Sequence, residues 1–186
     1  LSFLTLTAIA LAIPIIKVKQ WSQVGILSKM VLMLVANIIH YAGLLGFMES
    51  GERIGIYSCL YLILALIFVM GRRVIPFFIE KGVAGTAILR NRKWLDNSSL
   101  VLFVGLWVFD VLYVQIEIAG ALAGVLFILH TIRLHDWYTK GVWRAPMLWV
   151  LYIAYSFLTL GFALKATSVW SDISVFLSVH AFAVGG

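Results

Sequence analysis

Charged side chains are scarce in this sequence. Asp, Glu, Lys and Arg make up 12% of the 186 residues, whereas hydrophobic residues make up 63% and the mean hydropathy is +1.05. Soluble domains carry roughly 25% charged residues, and a soluble domain of this size must still cover its surface with polar groups. The shortage of charge therefore excludes a water-soluble globular fold and indicates a chain surrounded by lipid.

Cysteine is also scarce, and the common catalytic motifs are missing. Cys59 is the only cysteine and lies inside a hydrophobic stretch, which excludes an intramolecular disulfide framework. The sequence contains no thiolate cluster, HExxH motif, phosphate-binding loop or GxGxxG fingerprint. It therefore assigns no catalytic residue.

Seven hydrophobic segments, separated by polar stretches, account for most of the chain. A helix needs about 20 apolar residues to cross the hydrocarbon core of a bilayer. The pattern predicts an all-α fold, a polytopic transmembrane helix bundle with about seven spans in a lipid bilayer. The predicted segments cover residues 1–16, 24–48, 54–70 with a continuation at 72–78, 98–114, 117–134, 146–166 and 172–186.

Both ends of the sequence fall inside apolar runs. The chain begins with Leu1 instead of Met and closes at Gly186, and neither terminal run reaches the length of a full span. The first run lacks a basic region ahead of it and a small-residue cleavage site, which disfavours a signal peptide. We therefore expect residues 1–186 to form a single transmembrane domain that is truncated at both ends.

Basic residues are divided unevenly between the two sides of the predicted membrane. Side A is the side that the chain reaches after the first segment, and side B is the opposite one. Side B carries only Arg53 and Lys165, and Lys29 lies early in the second segment. This asymmetry indicates that the basic linkers of side A are cytoplasmic, and their position beside spans argues against a nucleic-acid partner. Side A holds 11 of the 14 basic residues, namely Lys17, Lys19, Arg72, Arg73, Lys81, Arg90, Arg92, Lys93, Arg133, Lys140 and Arg144.

Three histidines lie inside predicted spans, where imidazole is costly unless it is hydrogen-bonded, paired or bound to a metal. They are His40, His130 and His180, whereas His135 lies in a linker. With a rise of about 1.5 Å per residue, His40 and His180 each lie about 12 Å from side B. His130 lies about 20 Å from side B, so it is not expected to share a ligand with the other two.

Two histidines at one depth on antiparallel helices suit the ligation of haem iron, which takes axial nitrogens from opposite faces of the macrocycle. Imidazole suits copper as well. The alternative is that each ring only hydrogen-bonds to a carbonyl or hydroxyl group on a neighbouring helix. The residues themselves leave both interpretations open.

A few residues near the ends of the spans carry further expectations. Arg72 and Arg73 lie near side A, so we expect them to contact lipid phosphates in preference to the propionates of a haem near side B. Asp110 is expected to reach water at side B. Gly120 and Gly124 form a G-x-x-x-G pattern, which predicts close contact between helices.

Four strings of residues resemble the NnrS family. They are N-I-I-H-Y-A-G at 37–43, M-G-R-R-V-I-P-F-F at 70–78, W-R-A-P-M-L-W-V-L-Y at 143–152 and H-A-F-A-V-G at 180–185. The resemblance extends over most of the chain, in order and at suitable spacing.

The resemblance implies a bacterial inner-membrane protein of about twelve spans that contains haem and copper and is linked to the response to nitric oxide. It implies His40, His130 and His180 as cofactor-binding residues, with His40 and His180 as the metal ligands. The family commonly has histidine where this chain has Tyr152. The remaining spans of the full-length protein are expected partners of this chain.

The leading functional hypothesis is a haem- and copper-containing membrane protein that protects against nitrosative stress. One alternative is a secondary transporter in which the histidines and Asp110 relay protons or bind substrate. Another is a structural membrane subunit without a bound metal, whose histidines only join helices.

Overall fold

Seven α-helices make up the part of the chain described by the computed structural model, which comprises residues 2–83 and 89–185. This part contains no strand, and the chain is 85% helical. The helices are α1 (Ser2–Lys17), α2 (Val24–Leu44), α3 (Gly51–Gly82), α4 (Lys93–Trp107), α5 (Ile116–Trp137), α6 (Pro146–Thr167) and α7 (Val175–His180). Helix α4 continues as a π-helical stretch, Val108–Leu112, and α7 continues as another, Ala181–Gly185.

Each predicted hydrophobic segment overlaps one of these helices, and the all-α membrane bundle is confirmed. Five helices are long and apolar enough to cross a bilayer: Val24–Leu44, Gly51–Gly82, Lys93–Leu112, Ile116–Trp137 and Pro146–Thr167. The other two apolar helices, Ser2–Lys17 and Val175–Gly185, are shorter. The outer ends of the first and last predicted segments, Leu1 and Gly186, lie outside the described residues.

The third predicted segment differs most from its helix. The sequence suggested a span with a separate continuation, whereas α3 is one helix of 32 residues, which is about 48 Å long and exceeds the roughly 30 Å hydrocarbon core. Pro76 lies inside it and is buried. Proline removes only one backbone hydrogen bond, and packing against neighbouring helices offsets that loss.

Two boundaries near side B also differ from the prediction. Helix α2 ends at Leu44 instead of about residue 48, because Gly46 takes a left-handed conformation with φ of 79°. Helix α7 begins at Val175 instead of about residue 172, and its N-cap is Ser174. The Ser174 hydroxyl accepts a hydrogen bond from the Phe176 amide at 3.3 Å.

The described chain forms two compact units, Leu1–Ile67 and Phe68–Gly186. In the first unit, glycine allows α2 and α3 to approach closely. A Cβ atom at Gly55 would lie 2.7 Å from the Ala36 carbonyl oxygen and 2.7 Å from the His40 Cα atom. Gly43 likewise faces the backbone of Gly51. Helices α2 and α3 are therefore in close contact at Gly43 as well.

The second unit is built around aromatic side chains from α3 to α7. Phe162 on α6 is fully buried, and its ring lies 5.0 Å from that of Phe182 and 5.7 Å from that of Phe68. The predicted close contact at Gly120 is confirmed, since a Cβ atom there would overlap the side chain of Val169. Aromatic rings thus fill the centre, while small residues bring the helices together.

The outward surface is apolar in both units, as expected for helices that contact lipid. Large hydrophobic side chains are widely exposed along the helices, and no water is available in a bilayer to penalise that exposure. Among the most exposed are Phe3, Leu6, Phe47, Val101, Ile116 and Phe176.

The glycine contact in the first unit can be tested with Gly55→Ala. The added methyl group meets backbone atoms of α2, which cannot rotate away, so the free energy of unfolding should fall by about 1–3 kcal/mol. Thermal unfolding of the purified protein in detergent measures the change. Gly25→Ala is the matched control, because a Cβ atom at Gly25 meets nothing within 4 Å. Equal melting temperatures for the two variants would contradict the close approach.

Candidate functional site

His130 lies at the centre of the second unit. It is on α5 and only 1% of its surface is exposed. Its ring is stacked on Phe162 at 5.1 Å with an interplanar angle of 13°, and it lies 4.7 Å from the ring of Phe68. Nδ1 is 2.6 Å from the Tyr155 hydroxyl oxygen. The ring is therefore held by two aromatic contacts and one short hydrogen bond.

A chain of polar contacts runs from His130 toward side A. Arg133 donates from Nη1 to the Tyr155 hydroxyl oxygen at 3.0 Å and from Nη2 to Asp96 Oδ1 at 2.7 Å. Arg72 Nη1 lies 3.7 Å from Asp96 Oδ2. The five residues come from α3, α4, α5 and α6, so this polar network joins four helices.

The network determines which nitrogen of His130 carries the proton. Because the Tyr155 oxygen already accepts from Arg133, its own hydrogen is free to donate to His130 Nδ1. The proton then resides on Nε2, which is buried and has no hydrogen-bond partner. The opposite assignment would leave both the Tyr155 hydrogen and Nε2 without partners, which costs more free energy. His130 Nε2 is thus a buried donor in the favoured tautomer.

His40 is arranged differently. It lies on α2 and is partly exposed, and Nδ1 is 3.2 Å from the Glu52 carbonyl oxygen at the start of α3. A carbonyl group can only accept, so Nδ1 carries the proton and Nε2 keeps its lone pair. This arrangement matches a metal-ligating histidine, whose other ring nitrogen typically donates to a carbonyl or carboxylate.

His180 shows the same arrangement within the second unit. It is the last residue of α7 and is exposed, and Nδ1 is 2.8 Å from the carbonyl oxygen of Phe176 one turn earlier. The Nε2 lone pair of His180 is therefore also available to a metal. The predicted ligands His40 and His180 both have the donor chemistry that haem iron or copper requires.

The helix boundaries change the depths of these two residues. His40 lies four residues before the end of α2 at Leu44, about 6 Å along the helix. His180 lies five residues after the start of α7 at Val175, about 7.5 Å along that helix. Both distances are shorter than the distance of about 12 Å from side B that the sequence predicted. His40 belongs to the first unit and His180 to the second, and the pairing of their rings stays a prediction.

Groups of three or more His, Cys, Asp and Glu side chains that could hold a metal ion are absent from residues 2–83 and 89–185. Asp110 and Arg72 have different partners from those expected. Asp110 forms an ion pair with Lys165 at 2.6 Å instead of only reaching water. Arg72 contacts Asp96 and not only lipid.

Sequence reasoning missed Arg133, Asp96 and Tyr155. The available indication was the spacing on α5, where Arg133 follows His130 by three residues and therefore lies on the same helix face. An arginine one turn from an intramembrane histidine needs a buried acceptor. Which acid supplies it does not follow from spacing.

Tyr152 forms contacts that connect two helices. Its hydroxyl donates to the Leu134 carbonyl oxygen at 3.0 Å, and its ring lies 6.3 Å from that of Trp143. The side chain thus connects α6 to α5 and supports the indole of Trp143.

Asp96→Asn tests the polar network. The substitution keeps the shape of the side chain but removes the charge opposite Arg133, whose side chain is only 5% exposed. A buried charge left without its partner destabilises by about 3–5 kcal/mol. We expect a clear fall in the unfolding midpoint in detergent. Asp172→Asn, which removes an exposed carboxylate, serves as the control, and equal effects of both variants would rule out a structural role for the pair.

Tyr155→Phe tests the hydrogen bond between Tyr155 and His130. It leaves His130 without a partner at either ring nitrogen, so the expected loss of stability is about 2–3 kcal/mol. Tyr152→Phe removes one bond to a backbone carbonyl in a less buried place and should cost about 1 kcal/mol. The unfolding midpoints of the two variants are compared. A larger loss of stability for Tyr152→Phe than for Tyr155→Phe would contradict the buried hydrogen bond between Tyr155 and His130.

Comparison with known proteins adds one finding. No curated protein and no solved structure matches the chain significantly. The family model described as "NnrS protein" matches residues 1–186, which is the whole chain. It covers all seven helices and the three intramembrane histidines. This chain belongs to the NnrS family.

Proposed function

We propose that this multi-pass membrane protein contains haem and copper and acts in the bacterial response to nitric oxide, where it protects against nitrosative stress. Membership of the NnrS family supports this assignment. His40 and His180 are the proposed metal ligands. Nitric oxide is the proposed small-molecule partner.

The observation that carries the proposal is the shared hydrogen-bond arrangement of His40 and His180. Each ring donates from Nδ1 to a backbone carbonyl, at 3.2 Å and 2.8 Å. The orientation of each ring is thus fixed by the backbone, and each Nε2 keeps its lone pair. Haem or copper, if held by these two Nε2 atoms, would supply one-electron chemistry.

The family resemblance implies that His130 binds a cofactor. Its hydrogen bond to Tyr155 supports a different role. In the favoured tautomer, Nε2 carries a proton and cannot coordinate a metal. The ring instead anchors Tyr155 and, through Arg133, holds α5 against α4 and α6. We propose that His130 stabilises the fold that presents His180.

The membrane orientation is part of the proposal. The linkers after α1, α3 and α5, together with the helix ends next to them, carry most of the basic residues, whereas the linkers after α2 and α6 are short and contain none. The positive-inside rule then puts the basic linkers in the cytoplasm of a bacterial inner membrane. His40 and His180, which lie close to the side B ends of their helices, would be near the opposite face.

One absorption experiment tests the metal assignment. We expect the purified full-length protein to show a Soret band that shifts on reduction, and copper by elemental analysis. His40→Ala and His180→Ala should each remove or shift that band, because each takes away a ligand nitrogen. His135→Ala is the matched control, since His135 is exposed near the side A end of α5, and it should leave the spectrum unchanged.

Other results of this experiment would favour the alternatives. A protein without a Soret band and without copper would contradict the proposal, and substrate uptake by reconstituted vesicles would then indicate a transporter. The interhelical bond from His40 to Glu52 is the contact that a purely structural histidine would make. A structural role predicts that His40→Ala lowers the unfolding midpoint and leaves the spectrum of the intact protein as it was.

A further inference from the structure

Positive charge is concentrated at the side A end of the second unit. Nine basic and three acidic residues lie there, and the excess of six equals the net charge of the whole chain. Two of the acids, Asp96 and Asp136, are paired with arginines. Glu80 is thus the remaining acid beside six exposed basic residues, which are Arg73, Lys81, Arg90, Lys93, Lys140 and Arg144.

Two of these basic residues lie on a rigid surface element. Lys140 and Arg144 are the ends of a short 3₁₀ helix between α5 and α6. Val142 in its middle is fully buried, and Gly141 packs so closely on Val83 that a Cβ atom would overlap that side chain. The element is therefore anchored to the end of α3 and is not a free loop.

The same element carries an aromatic side chain suited to a membrane interface. Trp143 is 51% exposed, and its ring lies against Tyr152 at 6.3 Å. Residues three apart on a 3₁₀ helix lie on one side, so Lys140 and Trp143 share a face. Met147 at the start of α6 is also exposed, at 56%. Lys140 thus lies beside exposed apolar surface, and Arg144 is exposed at the other end of the same short helix.

We propose that residues 140–147 bind the headgroup phosphate of an anionic phospholipid in the leaflet at side A. The Arg144 guanidinium offers the paired donors that match a phosphate, and Lys140 adds a second cation. Trp143 lies at the depth of the headgroups, and Met147 contacts the acyl chain. Neither cation has an ion-pair partner among the described residues, so phosphate is the counter-charge that completes the site.

Lipid titration of the purified full-length protein, followed by native mass spectrometry, tests this site. Phosphatidylglycerol should bind more tightly than phosphatidylcholine. The double substitution Lys140→Gln with Arg144→Gln should weaken phosphatidylglycerol binding about 25-fold, since each basic residue at a membrane surface contributes roughly fivefold. Arg73→Gln with Lys93→Gln removes the same charge elsewhere on side A and should change the affinity less than about twofold.

One further variant, melting temperatures without lipid and competition by glycerol phosphate complete the test of lipid binding. Arg144→Lys keeps the charge and should retain affinity within about threefold, and both substituted side chains are exposed, so melting temperatures without lipid should be unchanged. Glycerol phosphate at equal concentration should not displace the lipid. Equal losses in the two double variants, equal affinity for both lipids, or displacement by glycerol phosphate would overturn the proposal.

Discussion

Arg133 is a charge held inside a helical bundle, with a side chain only 5% exposed. In such a place a guanidinium is tolerated only when its donors are accepted and its charge is balanced. Asp96 balances the charge and accepts a hydrogen bond from Nη2, and the Tyr155 hydroxyl oxygen accepts one from Nη1. Its guanidinium also lies 5.8 Å from the ring of Trp137 on the same helix. Three helices of the second unit, α4, α5 and α6, are joined directly by this single residue, and α3 is joined to them through the contact between Arg72 and Asp96.

The hydrogen-bond partner of each histidine separates the three intramembrane histidines into two kinds. A backbone carbonyl can only accept, so it leaves a lone pair on Nε2 of His40 and of His180. A tyrosine hydroxyl that already accepts from arginine donates instead, so His130 keeps its proton on Nε2. Three histidines that all lie inside predicted spans are therefore suited to different chemistry. The proposed ligand pair follows from the partner atoms, and the proposed structural role of His130 follows from the same rule.

Charged residues of the second unit have two different surroundings, the interior between helices and the exposed end at side A. The Arg133–Asp96 pair lies where side chains are covered, and it holds helices together. Unpaired basic residues lie at the exposed end of the second unit, where lipid phosphates are the natural counter-charge. The 3₁₀ helix at 140–144 is held in place by the buried side chain of Val142, while Lys140 and Arg144 at its two ends remain exposed.

The sequence by itself determined that the protein is a bundle of apolar helices, because composition and segment length are enough to distinguish lipid from water as the surroundings. It also located the three histidines within those helices and the close contact at Gly120, whereas the contact at Gly55 was found only in the structure. The tertiary structure alone decided that Arg133 meets Asp96, 37 residues away, and that Tyr155 meets His130. A transmembrane helix is apolar on all sides, so its hydrophobic pattern does not mark the face that turns inward. Rotation of each helix about its own axis, and with it every polar partner, is settled only when the helices pack.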